Sequence, residues 1–242
     1  MKTWKKILVV LASLVLVGAI GCGIYISDYY HATNEAYESI ENNDDSVKVV
    51  EIDGQQIIFA PENPKAGLIF YPGGKVQYEA YAPLMEAFAK EGILSIVVHM
   101  PGNLAVLDID AAEGIREQYL DIDKWYVGGH SLGGAMAASY VSEHASEYKG
   151  LLLLAAYSTA DLNNSDLKVF SIYGSEDKVL KADSYEENRG NLPGDFVEVV
   201  IEGGCHSGFA YYGEQDGDGT PMITQDEQIK KTVDVFLKNV KL

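Results

Sequence analysis

Short, nearly continuous apolar runs recur through the chain, separated by stretches of helical pattern, and they limit the fold more than any other feature. Gly67–Tyr71, Ile93–Val98, Trp125–Gly128, Leu151–Ala156, Val169–Tyr173 and Phe196–Ile201 are four to six residues long. Such runs suit strands buried on both faces rather than half-exposed ones. The intervening segments Tyr81–Lys90, Ile109–Leu120, Leu132–Glu143 and Lys181–Asn188 read as helices. A closing helix, Thr224–Val240, sets Ile229, Val233, Phe236, Leu237 and Val240 on one face. This pattern predicts an α/β fold: a mostly parallel, twisted sheet with helices on both faces. Val47–Ile52 and Gln55–Ala60 flank Asp53-Gly54, which predicts an antiparallel hairpin at the front of the sheet. No internal repeat or linker interrupts residues 47–242, so they form one expected domain.

A different signal precedes it. Ile7–Ile26 is a 20-residue run without charge, long enough as a helix for a hydrocarbon core of roughly 30 Å. Lys2, Lys5 and Lys6 precede the run and Asp28 follows it, so residues 1–27 read as a transmembrane anchor with its N-terminus inside and the body outside. A cleaved signal and a lipoprotein are the alternatives. The second would use Cys22, because Ala19-Ile20-Gly21-Cys22 resembles a lipobox. All three put the body outside the cytoplasm. Residues 28–46, polar and acid-rich, read as a stalk or a surface helix.

Charge excludes one class of partner. The chain has 18 Lys and Arg against 36 Asp and Glu, and from Asp28 onward 15 bases face all 36 acids, a balance of −21. Nucleic acid binding needs clustered cations, so none is expected. With only Cys22 and Cys205 present, the body holds no internal disulfide, and Cys205 reads as a small, partly buried side chain.

The chemistry concentrates at the ends of the strand-like runs. Gly129-His130-Ser131-Leu132-Gly133 follows a strand and opens a helix. A turn that sharp strains the serine backbone and leaves no room for flanking side chains, and it sets the hydroxyl at a helix N-terminus. Ser131 is therefore the candidate nucleophile. Its base must come from elsewhere. Of the two histidines downstream, His144 rides the far end of the serine's own helix, whereas His206 follows the run Phe196–Ile201 at the carboxyl edge of the sheet, where such sheets bind ligands. Asp177, after Val169–Tyr173, is the candidate acid orienting His206, with Glu176 and Asp161 as rivals. For the oxyanion, the N–H of Leu132 is one expected donor. The turn Tyr71-Pro72-Gly73-Gly74-Lys75 supplies the other, Gly74 before Lys75. Tyr71, Lys75, Asn103, His130 and Phe209 are candidate substrate-binding residues.

Tyr71-Pro72-Gly73-Gly74, Gly129-His130-Ser131-Leu132-Gly133, Gly174-Ser175-Glu176-Asp177 and Gly204-Cys205-His206 together resemble the α/β-hydrolase superfamily, in its order, across residues 47–242. The small, lidless members near the dienelactone hydrolases are the most similar. The resemblance implies a sheet of about eight strands and hydrolysis of an ester-like acyl bond through a serine acyl-enzyme. It also implies a small-molecule ester or acyl substrate and no metal or cofactor. Two departures matter. Tyr71-Pro72 stands where esterases carry a histidine before their glycines, and Ser131 stands where the dienelactone hydrolases use cysteine, so their particular reaction does not carry over.

Little more than ten residues separate the runs at Leu151 and Val169, too few for a helical cap, so an open site is expected. Asp216 and Asp218 faintly resemble a calcium loop, but the bidentate glutamate such loops require is missing, and a Gly-rich surface turn is the better reading. Acyl transfer to a cell-envelope acceptor would use the same triad. A binding protein on the same scaffold would have no need of it.

Overall fold

A computed structural model of the chain describes residues 3–41, 46–52, 54–240 and 242. Eight strands form one sheet: β1 (Val47–Ile52), β2 (Gln56–Pro61), β3 (Ala66–Tyr71), β4 (Ile93–Val98), β5 (Trp125–His130), β6 (Gly150–Leu154), β7 (Lys168–Gly174) and β8 (Val197–Ile201). Their spatial order is β1-β2-β4-β3-β5-β6-β7-β8. The hairpin β1–β2 is antiparallel and β2 lies antiparallel to β4, while β3 through β8 run parallel. Asp53 of the expected hairpin turn lies outside the described residues; Gly54, beside it, has φ 64°.

The helices are α1 (Thr3–Ser27), α2 (Asn34–Glu41), α3 (Ala82–Lys90), α4 (Leu132–Glu143), α5 (Ala182–Asn188) and α6 (Gln225–Asn239). The pleat sends alternate strand residues to two cores. Leu68 and Phe70 of β3 join Leu84, Met85 and Phe88 of α3 and Ile229, Val233 and Phe236 of α6. Ile69 and Tyr71 join Ala137, Ala138 and Val141 of α4 on the other face. Phe236 centres the first core, its ring 4.9 to 5.3 Å from those of Tyr126, Phe170 and Phe88. Truncating such a buried ring to alanine costs about 3–5 kcal/mol. A capping box starts α6: Thr224 accepts from the Glu227 N–H, and Glu227 accepts from the Thr224 N–H.

Two sequence expectations change. Residues 109–120 are not a helix but a run of turns ending in a single 3-10 turn, Arg116–Gln118. Gly114 takes φ 73° there, and the Tyr71 hydroxyl donates to the Ile109 carbonyl and accepts from the Ala112 N–H, which diverts the backbone from helical pairing. The strand expected at Leu151–Ala156 ends at Leu154, where Ala155 turns to φ 48°. Of the two readings for residues 28–46, the described residues 28–41 fit the surface helix: they lie on the body, with Ala36 of α2 fully buried. The segment between β6 and β7, residues 155–167, contains no helix, so no large cap covers the sheet edge.

Candidate active site

β5 delivers Ser131 into a turn too tight for ordinary residues. Ser131 has φ 52° and ψ −124° and caps α4, yet its side chain makes no capping hydrogen bond, which leaves the hydroxyl free for chemistry. Crowding explains the flanking glycines. A Cβ on Gly129 would lie 2.5 Å from the Gly133 carbonyl carbon, and one on Gly133 would lie 2.1 Å from the Pro72 carbonyl oxygen. The second contact ties the serine turn to the loop after β3.

The loops after β7 and β8 are joined to each other. Ser175 N–H donates to the Ile201 carbonyl, Glu176 N–H to the Gly204 carbonyl, and Gly203 N–H to the Ser175 hydroxyl. This lacing brings Asp177 to His206, with Oδ2 2.9 Å from Nδ1 and both side chains almost sealed from solvent. The other carboxylate oxygen, Oδ1, accepts from the N–H groups of Val179 and Leu180 at 2.9 and 2.8 Å. The rivals face elsewhere: Asp161 accepts from the Asn163 N–H, and Glu176 from the Ser175 hydroxyl. His206 Nε2 is buried without a hydrogen-bond partner among the described residues. Ser131 and His206 line the same cleft, about 390 Å³, whose walls include Ala135, Met136, Ala155, Ala156, Val179 and Leu180.

The oxyanion loop is sorted by its hydrogen bonds. Gly73 N–H donates to the Tyr81 hydroxyl at 2.8 Å, and Lys75 N–H donates to the Asn103 carbonyl at 2.7 Å. Between them the Gly74 N–H has no partner among the described residues, and Gly74 packs on Leu132: a Cβ there would meet Leu132 Cδ2 at 2.9 Å. Gly74 and Leu132 thus lie side by side next to Ser131, whereas Lys75's N–H is already committed.

The remaining candidates support the site from outside the cleft. Tyr71 is buried, with its hydroxyl bonded to Ile109 and Ala112. Asn103, at φ 56°, anchors Lys75 through its carbonyl. Phe209 is fully buried, its ring 5.8 Å from that of His130. His130 is also buried, its ring 4.5 Å from that of His206. Tyr81 Oη lies 2.8 Å from His130 Nδ1 and also accepts from the Gly73 N–H. Burial, and then the neighbouring His206, hold His130 well below the ordinary imidazole range, which favours its neutral form.

Three positioning groups gave little or no sign in the sequence. Asp218 accepts from the N–H groups of His206, Ser207 and Gly219 and from the Ser207 hydroxyl. Burial would raise its pKa, but the N–H bonds from Ser207, His206 and Gly219 outweigh that and hold the carboxyl below its ordinary value. The acid that faintly suggested calcium therefore braces the histidine loop. Buried Gln228 on α6 brackets Cys205, accepting from its N–H and donating to its carbonyl. Tyr81 is the third; nothing about an isolated tyrosine at a helix start marks it. Burial pushes the Cys205 thiol up, as suits an inert side chain. Among the described residues no group of three or more His, Cys, Asp or Glu is arranged to hold a metal ion.

A parallel-centred sheet, with a serine on a strained strand-to-helix turn sharing a cleft with a carboxylate-held histidine, is the arrangement of the α/β-hydrolase fold. The Alpha/beta hydrolase family model matches residues 67–230, and the chain belongs to that family. Three solved structures share the fold. A predicted CIB-like hydrolase from Thermoplasma acidophilum is 16% identical, with TM-score 0.58 over 80% of this chain and 98% of its own. TT1662 from Thermus thermophilus is 14% identical, with TM-score 0.60 over 81% and 99%. Est1E from Butyrivibrio proteoclasticus is 13% identical, with TM-score 0.56 over 80% and 98%. No curated protein sequence matches this chain significantly.

Proposed function

We propose that the protein is a serine hydrolase that cleaves carboxylic-ester-like acyl bonds, held at the outer face of a membrane by α1. Ser131 Oγ attacks the acyl carbonyl as His206 Nε2 takes the hydroxyl proton. Asp177 orients the ring and stabilises the imidazolium, and the N–H groups of Leu132 and Gly74 hold the oxyanion. His206 then protonates the leaving alcohol, and water, activated by the same base, releases the acid. The observation that carries this reading is the shared cleft, lined by Ser131 on its strained turn and by His206, whose Nδ1 is bonded to Asp177 and whose Nε2 has no partner among the described residues. The anchor reading rests on α1, whose segment Val10–Ser27 has mean hydropathy 2.2 and no buried share. Neutral His130 adds no repulsion to the forming imidazolium.

Ser131→Ala tests the proposal. Turnover of p-nitrophenyl acetate and labelling by a fluorophosphonate probe should both vanish while the thermal midpoint holds. Labelling that persists would remove Ser131 as nucleophile.

A further inference from the structure

We propose that the substrate of this site is a long-chain acyl ester held in the bilayer surface, taken directly from the membrane that α1 occupies, rather than an ester diffusing in water. This rests on the serine-hydrolase and anchor readings above, and it is carried by where α1 ends.

The helix leaves the body: Leu11 and Leu14–Val17 are each more than half exposed, as are Ile20 and Ile24. Its last turn lands beside the oxyanion loop. The Lys75 ammonium sits 4.7 Å from the Tyr25 ring centroid and 2.6 Å from the Asp28 carboxylate. Ile26 packs on Gly102, whose added Cβ would meet Ile26 Cγ2 at 2.9 Å. The chain beyond the helix then joins the loop through an isolated parallel bridge. Tyr30 pairs in parallel with Val76, its N–H donating to the Lys75 carbonyl at 2.7 Å and its carbonyl accepting from the Gln77 N–H at 3.0 Å. Gln77 Oε1 accepts from the Ala32 N–H, and the Tyr30 hydroxyl accepts from the Asp216 N–H on the segment that follows His206. The juncture is thus fastened to both catalytic loops, which rules out free swivelling on a stalk.

A geometric consequence follows. Gly74, one residue from Lys75, packs on Leu132 at the cleft. The point where α1 leaves the bilayer is therefore within a few residues of the oxyanion loop, and the carboxyl edge of the sheet, where the cleft opens, faces the membrane surface. Exposed Val106 and Leu107, on the short turn after the loop that touches Ile26, add apolar surface on that side. The cleft suits such a substrate, because its walls are mostly Ala, Met, Val and Leu side chains and would accept a hydrocarbon chain. In the reaction the Ser131 Oγ–acyl bond forms as the ester C–O bond breaks. The proton passes from Ser131 through His206 to the alcohol, and water then frees the fatty acid.

Full-length protein in phosphatidylcholine vesicles tests this, with 4-methylumbelliferyl palmitate dissolved in the bilayer and p-nitrophenyl acetate in the water. One variant inserts twelve Gly-Ser residues between Ser27 and Asp28, which adds a flexible tether of roughly 20 Å and keeps residues 28–33 on the loop. A second replaces Val106 and Leu107 by glutamate. Both variants should turn over acetate as the parent does. Palmitate turnover should fall about fivefold or more as the local substrate concentration is lost. Unchanged palmitate turnover in both variants overturns the proposal. So does a parent protein that cleaves acetate but not bilayer palmitate, and that outcome leaves the serine-hydrolase reading standing. Acetate turnover surviving in Ser131→Ala would instead overturn that underlying reading.

Discussion

His206 Nδ1 and Asp177 Oδ2 lie 2.9 Å apart, with side chains only 2% and 1% exposed, while the far oxygen of Asp177 is held by two backbone N–H groups. The carboxylate is thereby fixed from both ends, and its only free role is to accept from the histidine. Asp177→Asn would keep the side-chain oxygen on Val179 and Leu180 and turn its NH₂ toward His206. The ring would then have to accept at Nδ1 and carry its proton on Nε2, the tautomer that cannot act as base. We expect kcat/KM to fall by about 10³–10⁴ with little loss of thermal stability. An activity loss below tenfold would remove Asp177 from the triad.

Asp218 accepts five hydrogen bonds, four of them from backbone N–H groups, and three of the five come from His206 and Ser207. Asp218→Ala leaves those donors unpaired and should cost about 2 kcal/mol in urea unfolding, with kcat falling more than KM rises. Asp218→Asn, whose carbonyl oxygen still accepts, should recover part of the kcat. A purely structural role would lower stability in both variants and leave kcat alone.

Tyr81 links the oxyanion loop to His130, accepting from the Gly73 N–H and hydrogen-bonding Nδ1. Tyr81→Phe strands both partners in a buried site, for a loss of about 1–3 kcal/mol. Because Gly73 precedes the donor Gly74, kcat should drop as well. Unaltered kcat in the phenylalanine variant would mean that the loop holds its shape without this hydroxyl.

Stability should depend on pH through His130. Its folded pKa is depressed, first by burial and then by His206, so as pH falls below the ordinary imidazole range the unfolded chain binds the proton first. Folding stability therefore declines with falling pH, by at most about 1.4 kcal/mol per unit for this one group. His130→Gln should flatten the decline measured by urea unfolding between pH 7 and pH 5. An identical slope in the two proteins would mean that His130 does not titrate between the two states.

The fold class and the strained turn that carries Ser131 were legible in the chain because both follow local rules. Doubly buried strands require continuous apolar runs, and a serine on a strand-to-helix turn requires glycine on both sides, so Gly129 and Gly133 announce Ser131. His206 and Asp177, which the structure brings to 2.9 Å of each other, were singled out by topology, each just beyond a strand, with one loop histidine outside α4 leaving little choice. Residues 109–120 read as a helix because their spacing satisfies the local pattern, but the Tyr71 hydroxyl, 38 residues before Ile109, competes for that backbone. A contact so distant in sequence leaves no mark on local periodicity.

Alone, the sequence determined the sheet, the strained serine and the apolar N-terminal helix, since each depends on residues that are neighbours along the chain. The tertiary structure decided which acid braces the histidine loop, which tyrosine ties His130 to the oxyanion turn, and that Tyr30, 46 residues before Val76, pairs with it beside the site. These relationships depend on side chains and backbone groups that meet only when loops from β3, β7 and β8 converge at one sheet edge. The physical reason is that a hydrogen bond is specified by position in space, and only the packed fold sets that position for residues far apart in sequence.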